Sequence, residues 1–217
     1  MNCNQTVIEH ITALVVAALQ DIEYREKSIP ISISARHIHL PKEMIAQLFG
    51  ENYQLHPLKD LSQPNQFAAK ETVELIGPKG SIQKVRILGP VRSYPQVEVS
   101  LSDARKLGIE APVRSSGNLN GTPGIRLRTP MAEIVLNQGV IIADRHIHMT
   151  MSDAKRFHVQ DGEKVDVVVE GVKGGVLGGV TIRVREDYCL DCHLDTDDAN
   201  AFQIQPLQRA LIKKLLP

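Results

Sequence analysis

The sequence predicts a mainly β protein, built as barrels or sandwiches, with short helices and one longer amphipathic helix in front. Three observations carry this. Short alternating apolar segments such as IPISISA, TVELIGP, QKVRILGP and QVEVSL begin at residue 29. The second half repeats the pattern in IRLRTPMAEIVL, GVIIADRHI, EKVDVVVEG and GVTIRVRE. Residues two apart on an extended chain share a face, so a period of two makes half-buried strands. Gly and Pro stand between these segments, where turns are required. Helical spacing recurs only at the two ends, which disfavours alternating βαβ units.

At the front, residues 5–22 place Val7, Ile8, Ile11, Leu14, Val15, Ala18 and Leu19 on one helical stripe, and the polar run EYREKS separates this helix from the strands. The closing segment AFQIQPLQRALIKKL reads as partly helical. Between them the core is aliphatic: apolar residues make up 42% of the chain, yet there is no Trp and only four Tyr and four Phe. A chain of 217 residues buries such a core without staples.

Lys plus Arg equals Asp plus Glu at 25 each, so no overall field draws in nucleic acid or an anionic membrane. Any anion must be captured locally. No apolar run reaches 18 residues, and MNCNQTVIEH lacks the features of a secretory signal, so a cytoplasmic protein is expected. Cys3, Cys189 and Cys192 in a reducing compartment argue against a disulfide framework.

The tetrapeptide RHIH occurs at residues 36–39 and again at 145–148, within ISARHIHL and IADRHIHM. On a strand, His37 and His39 point the same way, as do His146 and His148, and each pair is half a metal site. A second regularity follows the candidate ligands. Ser-Asp-Ala falls four residues after both Glu98 and His148, and Asp-Asp-Ala falls four after His193. Ser102 and Ser152 read as N-caps, and Pro41 as a first-turn residue, so four strand-to-helix corners each carry a metal-ligand type of side chain. Recurrent caps explain the Asp-Ala repeats alone, but not the ligand at a fixed offset before them. CLDCH, residues 189–193, also fits a c-type haem attachment signature; the ligand reading takes His193 and leaves Cys189 and Cys192 incidental. GVKGGVLGG lacks the ending of a phosphate loop and reads as a turn.

SARHIHL, RILGPVRSYPQVEVSLSDARKLGI, APVRSSGNLNGTPG, ADRHIHM and HLDTDDANA, in this order, resemble the phosphate propanoyltransferase family from residue 29 to about 202. The resemblance implies two small β-barrel domains with short capping α-helices behind the N-terminal amphipathic helix of residues 1–22. One barrel would combine residues 29–46 with about 144–217, and the other would hold about 47–143. It implies acyl transfer between coenzyme A and phosphate, with propanoyl-CoA or acetyl-CoA as donor, by zinc-assisted direct displacement. His37, His39 and Glu98 would bind one Zn2+, and His146, His148 and His193 the other. Arg92 would bind phosphate and Glu98 would serve at the reaction centre. Ser34, Ala35, Arg36, Lys79, Arg86 and Asn200 would contact coenzyme A. The chain departs from the family pattern at Pro95 and Cys192, neither of them a ligand. A homodimer is implied as well. In microcompartment-associated relatives a similar leading helix binds shell or cargo proteins, which would place the protein inside a bacterial microcompartment; the alternative use of this helix is ordinary packing.

These residue types suit the chemistry. Zinc with three protein ligands keeps an open position, and an Arg grips phosphate through two hydrogen bonds. Arg114, in the similar APVRSSG, rivals Arg92. Two other functions compete: a zinc-dependent thioester hydrolase, and a non-catalytic metal-binding protein.

Overall fold

The computed structural model describes residues 3–214; residues 1–2 and 215–217 of the expected end segments, and the side chains of residues 3–6, lie outside that description. Helix α1 (Cys3–Lys27) runs directly into β1 (Ser28–Ser34), followed by β2 (His37–His39), α2 (Lys42–Phe49), β3 (Pro57–Asp60), β4 (Phe67–Ile76), β5 (Ser81–Gly89) and β6 (Gln96–Glu98). Then come α3 (Leu101–Leu107), β7 (Val113–Arg114), β8 (Ile125–Arg128), β9 (Glu133–Leu136), β10 (Val140–Ala143) and β11 (His146–Met149). The chain finishes with α4 (Met151–Phe157), β12 (Lys164–Val169), β13 (Gly175–Val184), β14 (Asp191–Asp195), α5 (Thr196–Ala201) and β15 (Arg209–Lys214). None of the described helices is long and apolar enough to cross a membrane.

Six strands close a barrel in the order β1–β14–β11–β13–β12–β15, and β15 pairs back onto β1. Nine strands form a second sheet, β7–β10–β6–β2–β5–β4–β8–β9 with β3 added beside β4, which curls into a half-barrel. Each sheet encloses its own aliphatic core, as the alternation of the strands requires. Ile29, Ile147, Met149, Val165, Val167, Val180, Ile182 and Leu194 fill the closed barrel. Ile38, Leu40, Leu48, Leu75, Ile87, Val97 and Leu127 fill the curled sheet, where α2 and α3 cap them. Two contacts tie the sheets together. The Gln63 amide donates to the Cys189 carbonyl at 2.9 Å and accepts from its N–H at 3.1 Å, and the Ser102 N–H donates to Asp197 at 2.8 Å.

The corners follow one rule. Each helix has its N-cap two residues after the last candidate ligand of the preceding strand: Pro41 after His39, Ser100 after Glu98, Thr150 after His148 and Asp195 after His193. The Ser100, Thr150 and Asp195 side chains accept from the N–H three residues on, and Asp153 completes a capping box with Thr150. The caps expected at Ser102 and Ser152 therefore lie two residues earlier, because the cap must be extended and still belongs to the strand's end.

The first strand pairs within the closed barrel as far as Ser34, and His37 already pairs with Arg86 in the curled sheet, so the chain passes between sheets at residues 35–36. Two other expectations shift. The run EYREKS continues α1 to Lys27, supported by the i,i+4 pairs Asp21–Arg25 and Glu23–Lys27. The segment RALIKK is a strand, because it closes the barrel between β1 and β12, a pairing that local helical spacing does not reveal. Arg209 on that strand also donates to the Arg25 and Ser28 carbonyls, clamping the end of α1. Along α1 the apolar stripe from Val7 to Ile22 stays 47–61% exposed.

Candidate active site: two donor triads in one cleft

Both triads are built the same way. His37 and His39 on β2 face β6, with His37 directly opposite Glu98 in an antiparallel pair. His146 and His148 on β11 face β14, with His146 directly opposite His193 in another. In each set the three donor atoms lie within 4.8 Å of one another. The two sets are neighbours: Glu98, His146 and His193 line a single small gap.

Hydrogen bonds fix the tautomers alike in both copies. The first His of each pair donates from Nδ1 to the carbonyl two residues earlier, His37 to Ala35 at 2.9 Å and His146 to Asp144 at 2.8 Å. Each leaves the Nε2 lone pair for the site. The second His of each pair keeps Nδ1 buried without a hydrogen-bond partner, while His193 Nε2 lies 3.1 Å from the buried Asp191 carboxylate. Buried nitrogens with no partner are costly unless something else satisfies them, and one in each triad, His39 Nδ1 beside His37 and Glu98 and His148 Nδ1 beside His146 and His193, fits a cation.

The electrostatics agree. Burial, with neighbouring positive charges, pushes His39 and His148 down to about 2 and His146 to about 4, so all three are neutral bases at neutral pH. His37 is the exception: burial acts to lower it, but Glu98 at 3.4 Å carries it above its ordinary value. Burial acts to raise Glu98, yet the charge and hydrogen bond of His37, with His39 and His146, hold it well below the usual carboxylate range. Sequence reasoning missed Gln96. It is fully buried two residues before Glu98 on the same face of β6, donating to Glu98 at 2.6 Å and to Ser116 at 2.8 Å. Its position at i−2 from a ligand was the available signal.

The repeated Arg before each His pair also has a role. Arg36 Nε donates to Asp103 at 2.7 Å, and Arg145 grips Asp198 through two bonds of 2.6 and 2.7 Å. Asp103 and Asp198 each stand five residues after the third candidate ligand, Glu98 or His193. Each Arg thus ties the strand carrying two donors to the helix that follows the third.

Both triads open into a cleft of about 990 Å3. Ser34, Ala35, Arg36, Arg86 and Arg92 line it, whereas Lys79 and Asn200 do not. Lys79 sits in the β4–β5 turn against Gly108, and Arg86 is occupied by the Ala69 and Lys70 carbonyls. Arg114 is exposed and outside the lining, which leaves Arg92 as the nearer of the two rivals. In CLDCH, Cys192 is enclosed in the barrel core and Cys189 is exposed, so the two thiols face different surroundings. Burial pushes the Cys192 thiol up, which keeps it protonated and apolar in character.

Fold and site define an enzyme of the β class, in which two histidine-rich donor sets and an arginine-lined cleft converge at the meeting of two sheets. The profile of the family described as phosphate propanoyltransferase matches residues 30–205. The chain is 52% identical to the phosphate propanoyltransferase of Thermotoga maritima over 178 residues, covering 82% of this chain and 85% of the relative. It is 49% identical to that of Alkaliphilus metalliredigens over 199 residues, covering 92% and 94%, and 51% identical to that of Salmonella typhimurium over 183 residues, covering 82% and 85%. The chain belongs to the phosphate propanoyltransferase family and is an acyltransferase.

Proposed function

We propose that the protein catalyses acyl-CoA + phosphate = acyl phosphate + CoA, with propanoyl-CoA as donor and acetyl-CoA as a shorter alternative, in the cleft between the two sheets. The observation that carries the reading is the opening of both donor triads into one cleft beside Arg92, whose side chain has no counter-ion of its own among the described residues. Two Zn2+ suit the donors: His, His and carboxylate in one set, three His in the other, each leaving a position free. Bound there, zinc would supply Lewis-acid polarisation of the thioester carbonyl and an acceptor for the departing sulfur.

The remaining steps belong to the chain. Arg92 holds the phosphate dianion and neutralises part of its charge. Gln96 keeps Glu98 turned towards His37, and Glu98 acts as a ligand rather than a base, because phosphate at neutral pH needs no deprotonation to attack. A phosphate oxygen bonds to the carbonyl carbon, the carbon–sulfur bond breaks with its electron pair on sulfur, and the proton of the phosphate passes to the thiolate. No covalent enzyme intermediate is required. Positioning the two reactants in line supplies much of the rate.

The test is thiol release from propanoyl-CoA by zinc-loaded protein, with and without phosphate, beside His146→Ala. Phosphate-dependent release that the variant loses supports the transferase. Release without phosphate would instead establish a thioester hydrolase. The same reading gives the exposed stripe of α1, which lies before the matched residues, to microcompartment shell or cargo proteins, and gives the catalytic part a homodimer. Removing residues 1–22 should leave turnover intact and abolish co-assembly; insolubility of the shortened chain would show that the helix packs on the enzyme instead.

A further inference from the structure

Five arginines line the cleft: Arg36, Arg86, Arg92, Arg183 and Arg185. Three are engaged, Arg36 by Asp103, Arg86 by two carbonyls and Arg185 by Asp187 at 2.7 Å. Among the described residues, the side chains of Arg92 and Arg183 form no hydrogen bond or ion pair. They come from different sheets. Arg92 follows β5 in the curled sheet, while Arg183 lies on β13 of the closed barrel, in parallel register beside His148. Residues in register share a face, so Arg183 projects into the cleft with the second triad.

The two guanidiniums feel each other. Arg92 is lowered chiefly by burial, which Glu98 opposes and the Arg183 charge reinforces. Arg183 also contributes to lowering His146 and His148. Glu98 offsets part of the Arg92 charge, and neither guanidinium bonds a carboxylate among the described residues, so a cleft lined by both suits an anionic ligand.

We propose that Arg183 is a second phosphate-binding residue, gripping the attacking phosphate from the barrel while Arg92 grips it from the curled sheet. The inference rests on the transferase reading and gives it a stereochemical reason. One phosphate oxygen must stay free to reach the carbonyl carbon, and the other three suffice for two guanidiniums. Two positive charges balance the dianion, which a single arginine leaves half neutralised.

The experiment measures initial rates of zinc-loaded wild type, Arg183→Lys and Arg183→Ala, varying phosphate at saturating propanoyl-CoA and then the reverse. Calorimetry with inorganic phosphate and thermal melts accompany the kinetics. For Arg183→Ala the KM and Kd for phosphate should rise about ten- to hundredfold, the worth of a charge-assisted hydrogen-bond pair, with the KM for propanoyl-CoA changed less than about twofold. Arg183→Lys, which keeps the charge without the fork, should fall between. A rise in the KM for propanoyl-CoA alone would assign Arg183 to the phosphates of coenzyme A and overturn the proposal. So would unchanged phosphate affinity in both variants, with or without a fall in kcat. Wild-type protein that releases no thiol in response to phosphate would bring down the transferase reading itself, a result separable from failure of the Arg183 assignment.

Discussion

The Arg145–Asp198 latch should be worth more than the Arg36–Asp103 latch, and both should act on the proposed zinc-binding triads. Arg145 makes two short bonds to an Asp198 side chain that is 17% exposed; Arg36 makes one, to an Asp103 that is 7% exposed. Both arginines are more than a third exposed, so solvent screening cuts the full value of a charged hydrogen bond. About 1–2 kcal/mol remains for the two-bond latch and about 0.5–1 kcal/mol for the other. At this chain length each kcal/mol moves the melting temperature by about 2–4 °C. Thus Arg145→Ala should lower it by about 2–8 °C, and a double-mutant cycle with Asp198→Asn should recover most of that as coupling. Because the latch seats the helix behind His193, zinc should leave the second site about ten times more readily in Arg145→Ala, as when other outer-shell partners of ligands are removed. Differential scanning fluorimetry and metal release to a chromogenic chelator read the two effects. Unchanged melting and unchanged release in Arg145→Ala would refute the latch, and a larger coupling at Arg36–Asp103 would refute the ranking.

Three further outcomes are expected. Gln96→Ala removes the buried amide that bonds to Glu98, Ser116 and the Gly117 N–H and should cost about 2–4 kcal/mol, with zinc affinity falling at the first triad only; equal losses at both sites would contradict it. Glu71 is buried and accepts hydrogen bonds from Tyr53 at 2.9 Å, the His56 N–H at 3.1 Å and the His56 ring at 2.7 Å. Burial acts to raise its carboxyl and these bonds lower it further, below the ordinary 4.5, so its stabilisation is present above that pH and fades as pH falls through the lower folded value. Glu71→Gln should lose about 1–2 kcal/mol at pH 7 and show a flatter acid unfolding limb, whereas parallel limbs in the two proteins would exclude this role. Stripping zinc with a chelator should lower the melting temperature, and restoring zinc at a thousandfold excess over Kd should return about 4 kcal/mol for each triad filled; a melt indifferent to zinc would mean that the triads bind no metal.

What the sequence made legible was local and repeated. Two RHIH copies reveal the candidate ligand pairs because a period of two fixes their faces, and a constant offset to Asp-Ala reveals the helix that follows three of the four strands that carry them. Long-range pairing was not legible. RALIKK has helical spacing, and only β1 and β12 on either side make it a strand. His37–His39 adjoins β1 in sequence yet pairs with β5 and β6, a choice that residues 35–36 make by turning the chain. Arg183 carried no local pattern and Gln96 only its spacing of two from Glu98, since an unpaired cation and a buried amide show themselves mainly through what surrounds them.

The placement of β1 sets the order in which the molecule can be assembled. It sits between β14 and β15, which follow nearly every other described strand along the chain, and leads within two residues into the strand that carries His37 and His39. Its partners lie more than 150 residues away, so its edges stay open while the rest of the chain is made. His193 stands beside Ser32 in that late pairing, and the second donor set is therefore finished only once β14 has been made. The barrel that begins with the first strand therefore cannot close until β14 and β15 have been made.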